Sequence, residues 1–183
     1  MADKKFFWND GTVKDPKRAY RWVLLNGTIP MYTLKKVAKP SFTVTETPHK
    51  YLNHTFYYPG RVEWATITMT LADPVAPDAS ALITNMIKKS GYSPATKETD
   101  TQTMSKMKAA AALGSLKIQQ IDGDGNPVET WTLINPWIKD VKFGELDYES
   151  DDLTNVELEI RYDYASLETG DGTFWTDGQK SGS

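Results

Sequence analysis

The sequence has no cysteine, which excludes a disulfide framework, a cysteine nucleophile and a zinc site built from thiolates. It also lacks any apolar run near the ~20 residues that a membrane-spanning helix requires, so we expect no stable membrane insertion. Its first ten residues carry charge but contain no long apolar core, unlike a signal peptide. These absences favour a protein that is made and assembled in a cytoplasm.

Histidine, a common metal ligand, is also scarce. The only two histidines, His49 and His54, have a single nearby carboxylate, Glu46. Nothing in this pattern fixes a set of metal ligands, so packing or a subunit contact is the favoured interpretation of both histidines.

A second candidate metal site lies at Asp122, Asp124 and Asn126, which match the first three ligand positions of an EF-hand loop. Pro127 stands where that loop needs glycine, and Leu133 stands where it needs glutamate. The segment is therefore predicted to be a plain hairpin turn.

The sequence contains no serine-hydrolase elbow, no phosphate-binding glycine loop and no dinucleotide fingerprint. One acidic run could supply paired catalytic carboxylates, but two such groups need contrasting environments, and we expect this run to be uniformly solvated. The run consists of Glu145, Asp147, Glu149, Asp151 and Asp152. We expect no enzymatic activity, no metal and no cofactor.

The net charge of -3 conceals an uneven distribution. Residues 1–91 carry 13 Lys/Arg and 7 Asp/Glu, giving +6, whereas residues 92–183 carry 8 and 17, giving -9. Two interpretations stay open: ordinary solvated surface, or complementary faces through which copies meet head to tail. The second predicts assembly that weakens with salt. Scattered basic residues in an acidic chain disfavour specific nucleic-acid binding.

The clearest structural signal runs from Val156 to Tyr164, where apolar and charged residues alternate without a break. This period of two predicts a strand with one apolar and one charged face. A helical period at 78–90 predicts one amphipathic helix, with Asp78 as its N-cap and Gly91 at its C-cap. Asn26-Gly27 predicts a hairpin between the strands on either side of it.

At 183 residues and 39% hydrophobic content, the chain suits one domain with a sizeable core. About eight strands and one helix predict a mainly β fold, a small antiparallel β-barrel or sandwich with one packed α-helix. We expect an N-terminal arm at 1–18 that includes Phe6, Phe7 and Trp8, and a domain at 19–165. A polar, mobile C-terminal tail is expected at 166–183, apart from an anchor at Phe174-Trp175.

Residues 46–60 form an unusually aromatic segment that we expect to be a long loop. Its four exposed-looking aromatics are Tyr51, Phe56, Tyr57 and Tyr58. A solvated loop does not need so much apolar surface, whereas long structured loops often serve binding. These four residues are therefore the predicted subunit interface.

Three segments together resemble the tail tube proteins of contractile-tailed bacteriophages, a family similar to the tubes of contractile injection systems. The first reads Tyr-Pro-Gly-Arg-Val-Glu-Trp-Ala-Thr-Ile-Thr-Met-Thr-Leu at 58–71, a strand that precedes the helix. The second is the hairpin at 122–137, with Asn135-Pro136-Trp137 at its end, and the third is the strand-loop-strand at 144–160. The matches span 19–165; residues 92–112 and the tail after Ala165 have no counterpart in the family pattern.

The resemblance implies a β-barrel subunit that assembles into hexameric rings, which stack into a hollow tube. Its implied partners are a contractile sheath protein, a baseplate and a tail terminator protein. Its implied location is the virion tail, after assembly in the host bacterial cytoplasm. DNA would pass through the lumen into the host cell without specific binding.

We expect polar strand faces to line that lumen with net negative charge, because phosphates would then find few cations to pair with. The candidate lumen residues are Thr66, Thr68, Thr70, Glu157, Glu159 and Asp163. Two alternatives stay open: the tube of a non-phage contractile injection system, and a carbohydrate-binding β-sandwich that uses Tyr57, Tyr58 or Trp64.

Overall fold

The computed structural model describes residues 16–98 and 100–175. The expectations for Phe6, Phe7 and Trp8 and for residues 176–183 lie outside these ranges. With 45% strand and 14% helix, the predicted mainly β class is confirmed. No helix among the described residues is long and apolar enough to span a bilayer.

The described ranges contain eleven strands and two α-helices. The strands are β1 (Trp22–Leu25), β2 (Leu34–Val37), β3 (Phe42–Tyr51), β4 (His54–Trp64), β5 (Ile67–Ala72), β6 (Leu116–Ile121), β7 (Pro127–Ile134), β8 (Trp137–Lys142), β9 (Asn155–Arg161), β10 (Tyr164–Thr169) and β11 (Gly172–Phe174). The helices are α1 (Ala79–Lys89) and α2 (Lys106–Leu113).

The strands form two larger sheets around a common core. One has five strands in the order β1-β6-β7-β10-β11, and the other has four in the order β2-β5-β9-β8. The strands β3 and β4 form a third sheet by themselves. Every pairing is antiparallel. The sandwich alternative of the predicted fold class therefore describes the body of the molecule.

The alternating residues of β9 lie at the centre of the core. Val156, Leu158 and Ile160 are at most 1% exposed, and they pack with residues of β5 and of the five-stranded sheet. Burying a side chain of this size contributes about 1.5–3 kcal/mol. The alternation of apolar and charged residues revealed this strand in the sequence because one face of β9 is fully buried within the subunit.

The predicted helix is confirmed as α1. The Asp78 carboxylate accepts a hydrogen bond from the Ala81 N–H at 2.9 Å, as expected of an N-cap. Gly91 follows the helix with φ of 100°, a conformation that favours glycine.

The expectation of a single helix is wrong, because residues 106–113 form α2. The Ser105 hydroxyl accepts from the Lys108 N–H, and Leu113 is buried at the far end. The alanine run at 109–112 supplied a local helix signal, but the adjoining polar residues concealed its start.

The predicted hairpin at Asn26-Gly27 is also wrong. β1 pairs with β6, and β2 pairs with β5. The Asn26 side chain accepts from the N–H groups of Thr28 and Ile29 at 2.8 and 3.0 Å, and it donates to the carbonyls of Leu113 and Ser115. An asparagine that bonds its own backbone closes a local turn without pairing the two flanking strands.

The C-terminal region is more ordered than expected. The strand predicted from Val156 to Tyr164 is interrupted at 162–163, and the chain then continues as β10 and β11. Residues 166–174, expected to belong to a mobile tail, thus take part in the five-stranded sheet. The missed signal is weak because Thr169, Gly170 and Asp171 are typical turn residues.

Candidate assembly surfaces

The β3–β4 hairpin replaces the loop expected at 46–60. Its strands continue through that segment and turn at Leu52-Asn53, with φ of 52° at Leu52. All of β3 is exposed, and of β4 only Thr55 and Trp64 are half-buried. The segment 58–71, expected to be one strand before the helix, is accordingly divided between the end of β4 and β5.

One face of the hairpin is aromatic near its tip. His49 lies opposite Phe56, and Tyr51 lies opposite His54, so these side chains share a face. The rings of His54 and Phe56 lie 4.6 Å apart, and those of His49 and Tyr58 lie 6.4 Å apart. Three of the four predicted interface residues, Tyr51, Phe56 and Tyr58, therefore form one strip.

The fourth predicted interface residue, Tyr57, lies on the other face of the hairpin, opposite Pro48. It is 63% exposed. The hairpin therefore presents apolar surface on both sides, and the predicted group is divided between its two faces.

The root of the hairpin is fixed to the body by an aromatic cluster. The Trp64 ring lies 5.2 Å from Phe42, 6.0 Å from Tyr162 and 5.8 Å from Trp175. The expected anchoring role of Trp175 is thus consistent with its contacts. Between root and tip, a bulge brings Gly60 so close to Thr45 that a Cβ at 60 would lie 2.4 Å from the Thr45 hydroxyl oxygen.

The outer face of the four-stranded sheet gathers five of the six predicted lumen residues. Thr68 lies opposite Glu159, and Thr70 lies opposite Glu157. Thr66 donates to Glu159 Oε1 at 2.5 Å. Hydrogen bonds from Lys139 first, and then from Thr66, lower the pKa of Glu159.

This face is polar, but its charges are balanced rather than negative. A bulge in β8 exposes Lys139 and Asp140 in succession, and Lys139 Nζ bonds Glu159 at 2.8 Å. Lys36 and Lys142 line a cleft of about 200 Å³ with the carboxylates of this face. Three lysines thus stand beside Asp140, Glu157 and Glu159 on this face.

Asp163, the sixth predicted lumen residue, lies apart from this face. It follows β9 and accepts from Lys106 Nζ at 2.7 Å and from the Asn135 side chain at 2.9 Å. These two partners lower the pKa of Asp163. The residue therefore joins α2 to the β7–β8 and β9–β10 connections.

A buried charged cluster at Glu129 was not found from the sequence. Lys17 and Lys39 both pair with its carboxylate, and the Trp131 indole donates to it. Burial alone would raise the pKa of Glu129, but the bonds from these lysines and the indole outweigh it and lower the pKa to about 2. The signal was present, because alternation along β7 places Glu129 on the inward face with Trp131 and Leu133.

The predicted turn at Asp122–Asn126 joins β6 to β7 as a hairpin. The Asp122 carboxylate accepts from the N–H groups of Asn126 and Asp124, and the Asn126 bond is the main cause of its lowered pKa. Across residues 16–98 and 100–175, no group of three or more His, Asp or Glu could hold a metal.

The fold recurs in solved structures of contractile injection systems. A chain from the cap of the anti-feeding prophage, its tube terminating cap, has a TM-score of 0.65 at 14% identity, covering 93% of this chain and 100% of that chain. A chain from the PVC sheath/tube terminator in the extended state gives 0.63 at 16% identity, covering 86% and 99%. A chain from the PVC sheath-tube complex in the extended state gives 0.60 at 17% identity, covering 86% and 94%.

No protein-family model and no curated protein matches the sequence. At identities of 14–17%, the structural likeness shows a shared fold. It does not assign the activity of those proteins to this chain. The similarity nevertheless covers 86–93% of this chain. The chain has the tail tube fold of contractile injection systems.

Proposed function

We propose that this protein is a structural tube subunit. Copies assemble into hexameric rings that stack into the hollow inner tube of a contractile phage tail, through which DNA enters the host cell. A sheath, a baseplate and a tail terminator are its partners, and the virion tail, assembled in the bacterial cytoplasm, is its location. The observation that carries the proposal is the β3–β4 hairpin, which exposes aromatic side chains outside the core of a tube fold.

The tip of the hairpin supports assembly because its aromatic side chains find little cover within the subunit. Tyr51, Phe56, Tyr57 and Tyr58 are 48–64% exposed, whereas every second side chain of β5 and β9 is buried. Large exposed apolar patches usually mark partner surfaces. Aromatic anchors at the centre of such an interface are each worth about 2 kcal/mol or more. We therefore assign the hairpin to contacts with an adjacent copy, within a ring or between rings.

The polar face of the four-stranded sheet is the proposed lumen wall. Its lysines lie beside carboxylates, and Lys139 is bonded to Glu159. Phosphates passing such a wall find few free cations, so DNA can slide without being retained. Thr66, Thr68, Thr70, Glu157 and Glu159 belong to this wall; Asp163 is proposed at its rim, because its carboxylate is paired with Lys106. A strongly basic lumen in an assembled tube would contradict this assignment.

Two other functions remain to be distinguished from this one. The tube of a non-phage injection system would use the same surfaces, and it differs only in what travels through the lumen. A carbohydrate-binding module would need exposed, flat aromatic rings. Trp64, a candidate for that role, is packed against Phe42, Tyr162 and Trp175, which disfavours it as a sugar platform.

Electron microscopy of the purified protein at high concentration tests the proposal. We expect rings and hollow tubes, with six subunits in each ring. A protein that stays monomeric at every concentration and binds polysaccharide would contradict it. Tubes that form but are packed with a cargo other than DNA in the native particle would favour the non-phage system.

A further inference from the structure

The loop that joins β8 to β9 forms an acidic and apolar end of the subunit. Five carboxylates lie within residues 145–152, and none has an ion-pair partner among the described residues. Leu146, Tyr148 and Leu153 are at least 69% exposed in the same loop. Asn155, at its end, has a buried Oδ1 with no hydrogen-bond donor within the described chain. Residues 143–154 contain no lysine or arginine, and the apolar side chains of the loop are uncovered.

The two helices form a basic and apolar end. Lys88 and Lys89 lie in the last turn of α1, and Gly91 brings them close to α2, where a Cβ at 91 would lie 3.4 Å from Lys108 Cδ. These three lysines have no ion-pair partner in the described ranges. Met107 is 83% exposed and Tyr92 is 54% exposed beside them.

These surfaces lie at opposite ends of the β8–β9 ladder. Trp137 pairs with Arg161 at the end near α2, and Lys142 pairs with Glu157 at the loop. Six residues of strand separate the two ends by about 20 Å. α1 also extends from the loop end to the other end of the subunit. Its start lies near the loop, because the preceding Asp73 donates its N–H to the Thr154 carbonyl, and its lysines lie in its last turn. A single subunit therefore cannot bring its two ends together.

The charges elsewhere differ from those at the ends. Glu129, Glu159 and Asp163 each have a lysine partner within the chain. At the two ends, by contrast, the unpaired charges of each group share one sign, negative in the loop and positive at the helix end, and each group is mixed with exposed apolar side chains. The acidic end attracts the basic end of another copy, and each end repels its own counterpart. A two-fold contact would join like ends, so these charges specify a head-to-tail contact instead.

We propose that the loop 143–154 of one copy docks on the α1–α2 end of another copy. This contact rests on the proposed tube function and names which surfaces would join successive subunits. Lysine ammonium groups of the helix end supply the cations that the loop lacks. The apolar side chains of both ends are buried in the same contact.

Charge reversal at each end tests the contact. In one variant Asp151→Lys and Asp152→Lys make the loop basic; in the other Lys88→Glu and Lys89→Glu make the helix end acidic. The control, Glu168→Lys with Asp171→Lys, alters charge by the same amount as the loop variant, at exposed positions in the end of β10 and in the β10–β11 turn. Circular dichroism verifies that each subunit is folded, and sedimentation and electron microscopy measure assembly.

We expect each reversed variant alone to need at least a tenfold higher concentration to assemble, because its like-charged ends repel. An equimolar mixture of the two, and a chain with all four substitutions, should assemble near the wild-type concentration, and the control should assemble like the wild type. Assembly of both single-end variants at the wild-type concentration would overturn the contact. Failure of the mixture to recover, with both proteins folded, would overturn it as well.

The same measurements separate this contact from the proposed function. If the wild type forms neither rings nor tubes, the tube function fails, whereas preferential pairing of the two variants with each other still supports the contact. Wild-type tubes that the variants also form overturn the contact and leave the tube function intact. Should the loop variant unfold, Asp151→Asn with Asp152→Asn replaces it. We then expect assembly of this variant to weaken less steeply with salt than assembly of the wild type.

Discussion

The sandwich and the β3–β4 hairpin are built from the same kind of strand but differ in what covers their apolar faces. In β9, Leu158 and Ile160 are at most 1% exposed because a second sheet packs over them. In β4, Phe56 and Tyr58 are 48% and 58% exposed because no other sheet reaches the hairpin. An apolar strand pattern therefore identifies a strand, whereas the rest of the chain decides whether that strand stabilises the subunit or is left for a partner.

The largest expected difference between the two regions is in stability. Leu158→Ala removes a fully buried side chain and should lower the free energy of unfolding by about 2–5 kcal/mol, since it leaves a cavity. The matched hairpin variant, Val62→Ala, removes a side chain that is 54% exposed and should change it by about 0.5 kcal/mol or less. Urea unfolding measures both. Equal losses would show that the hairpin belongs to the folding core.

An intermediate effect is expected where the sandwich holds a charge. The pKa of Glu129 is about 2 in the folded protein and 4.5 in its ordinary state. Its ionised form therefore stabilises the fold at neutral pH, and this contribution is lost as pH falls from about 4.5 towards 2. Because Lys17 and Lys39 are half exposed, screening limits the loss to about 1–3 kcal/mol.

Urea unfolding at pH 6, 4 and 3 checks this contribution. Glu129→Gln should lower stability at pH 6 and should flatten the dependence on pH below 4.5. An unchanged pH profile in this variant would show that other carboxylates cause the acid sensitivity.

The smallest effect on folding, with the greatest effect on assembly, is expected in the hairpin. Replacing Phe56 and Tyr57 with serine removes one aromatic from each face of the hairpin. Both side chains are about half exposed or more, so the free energy of unfolding should change by about 0.5 kcal/mol or less, while tubes no longer form. Circular dichroism and electron microscopy measure the two outcomes. An unfolded chain would place these residues in the subunit's own core.

Local signals in the sequence predicted the elements whose cause is local. Asp78 capped α1 as expected, and β9 was evident because its inward face is wholly apolar. The hairpin was missed because its turn uses Leu52 at positive φ instead of glycine, and because Pro48 and Pro59 disfavour strands. Conversely, Asn26-Gly27 is a strong hairpin signal that the flanking strands overrode by pairing with distant partners.

The candidate surfaces needed information that only the folded chain provides. The threonine row and the glutamates of β9 were predicted separately, but their meeting depends on the register between β5 and β9. The lysines that neutralise this face come from β2 and β8, and no local pattern links those strands to it. The resemblance to tail tube proteins gave the overall fold because the order of segments carries long-range information that a single strand lacks.

The isolated pairing of β3 with β4 has a consequence for newly made subunits. Each strand leaves one edge unpaired along its length, and unpaired edges of exposed, aromatic strands invite indiscriminate sheet growth and aggregation. Pro48 and Pro59 are accommodated in such strands where their nitrogen faces the open edge, so each interrupts that edge's row of N–H donors. The two prolines thus protect the edges of the hairpin against indiscriminate pairing, while its aromatic faces stay exposed.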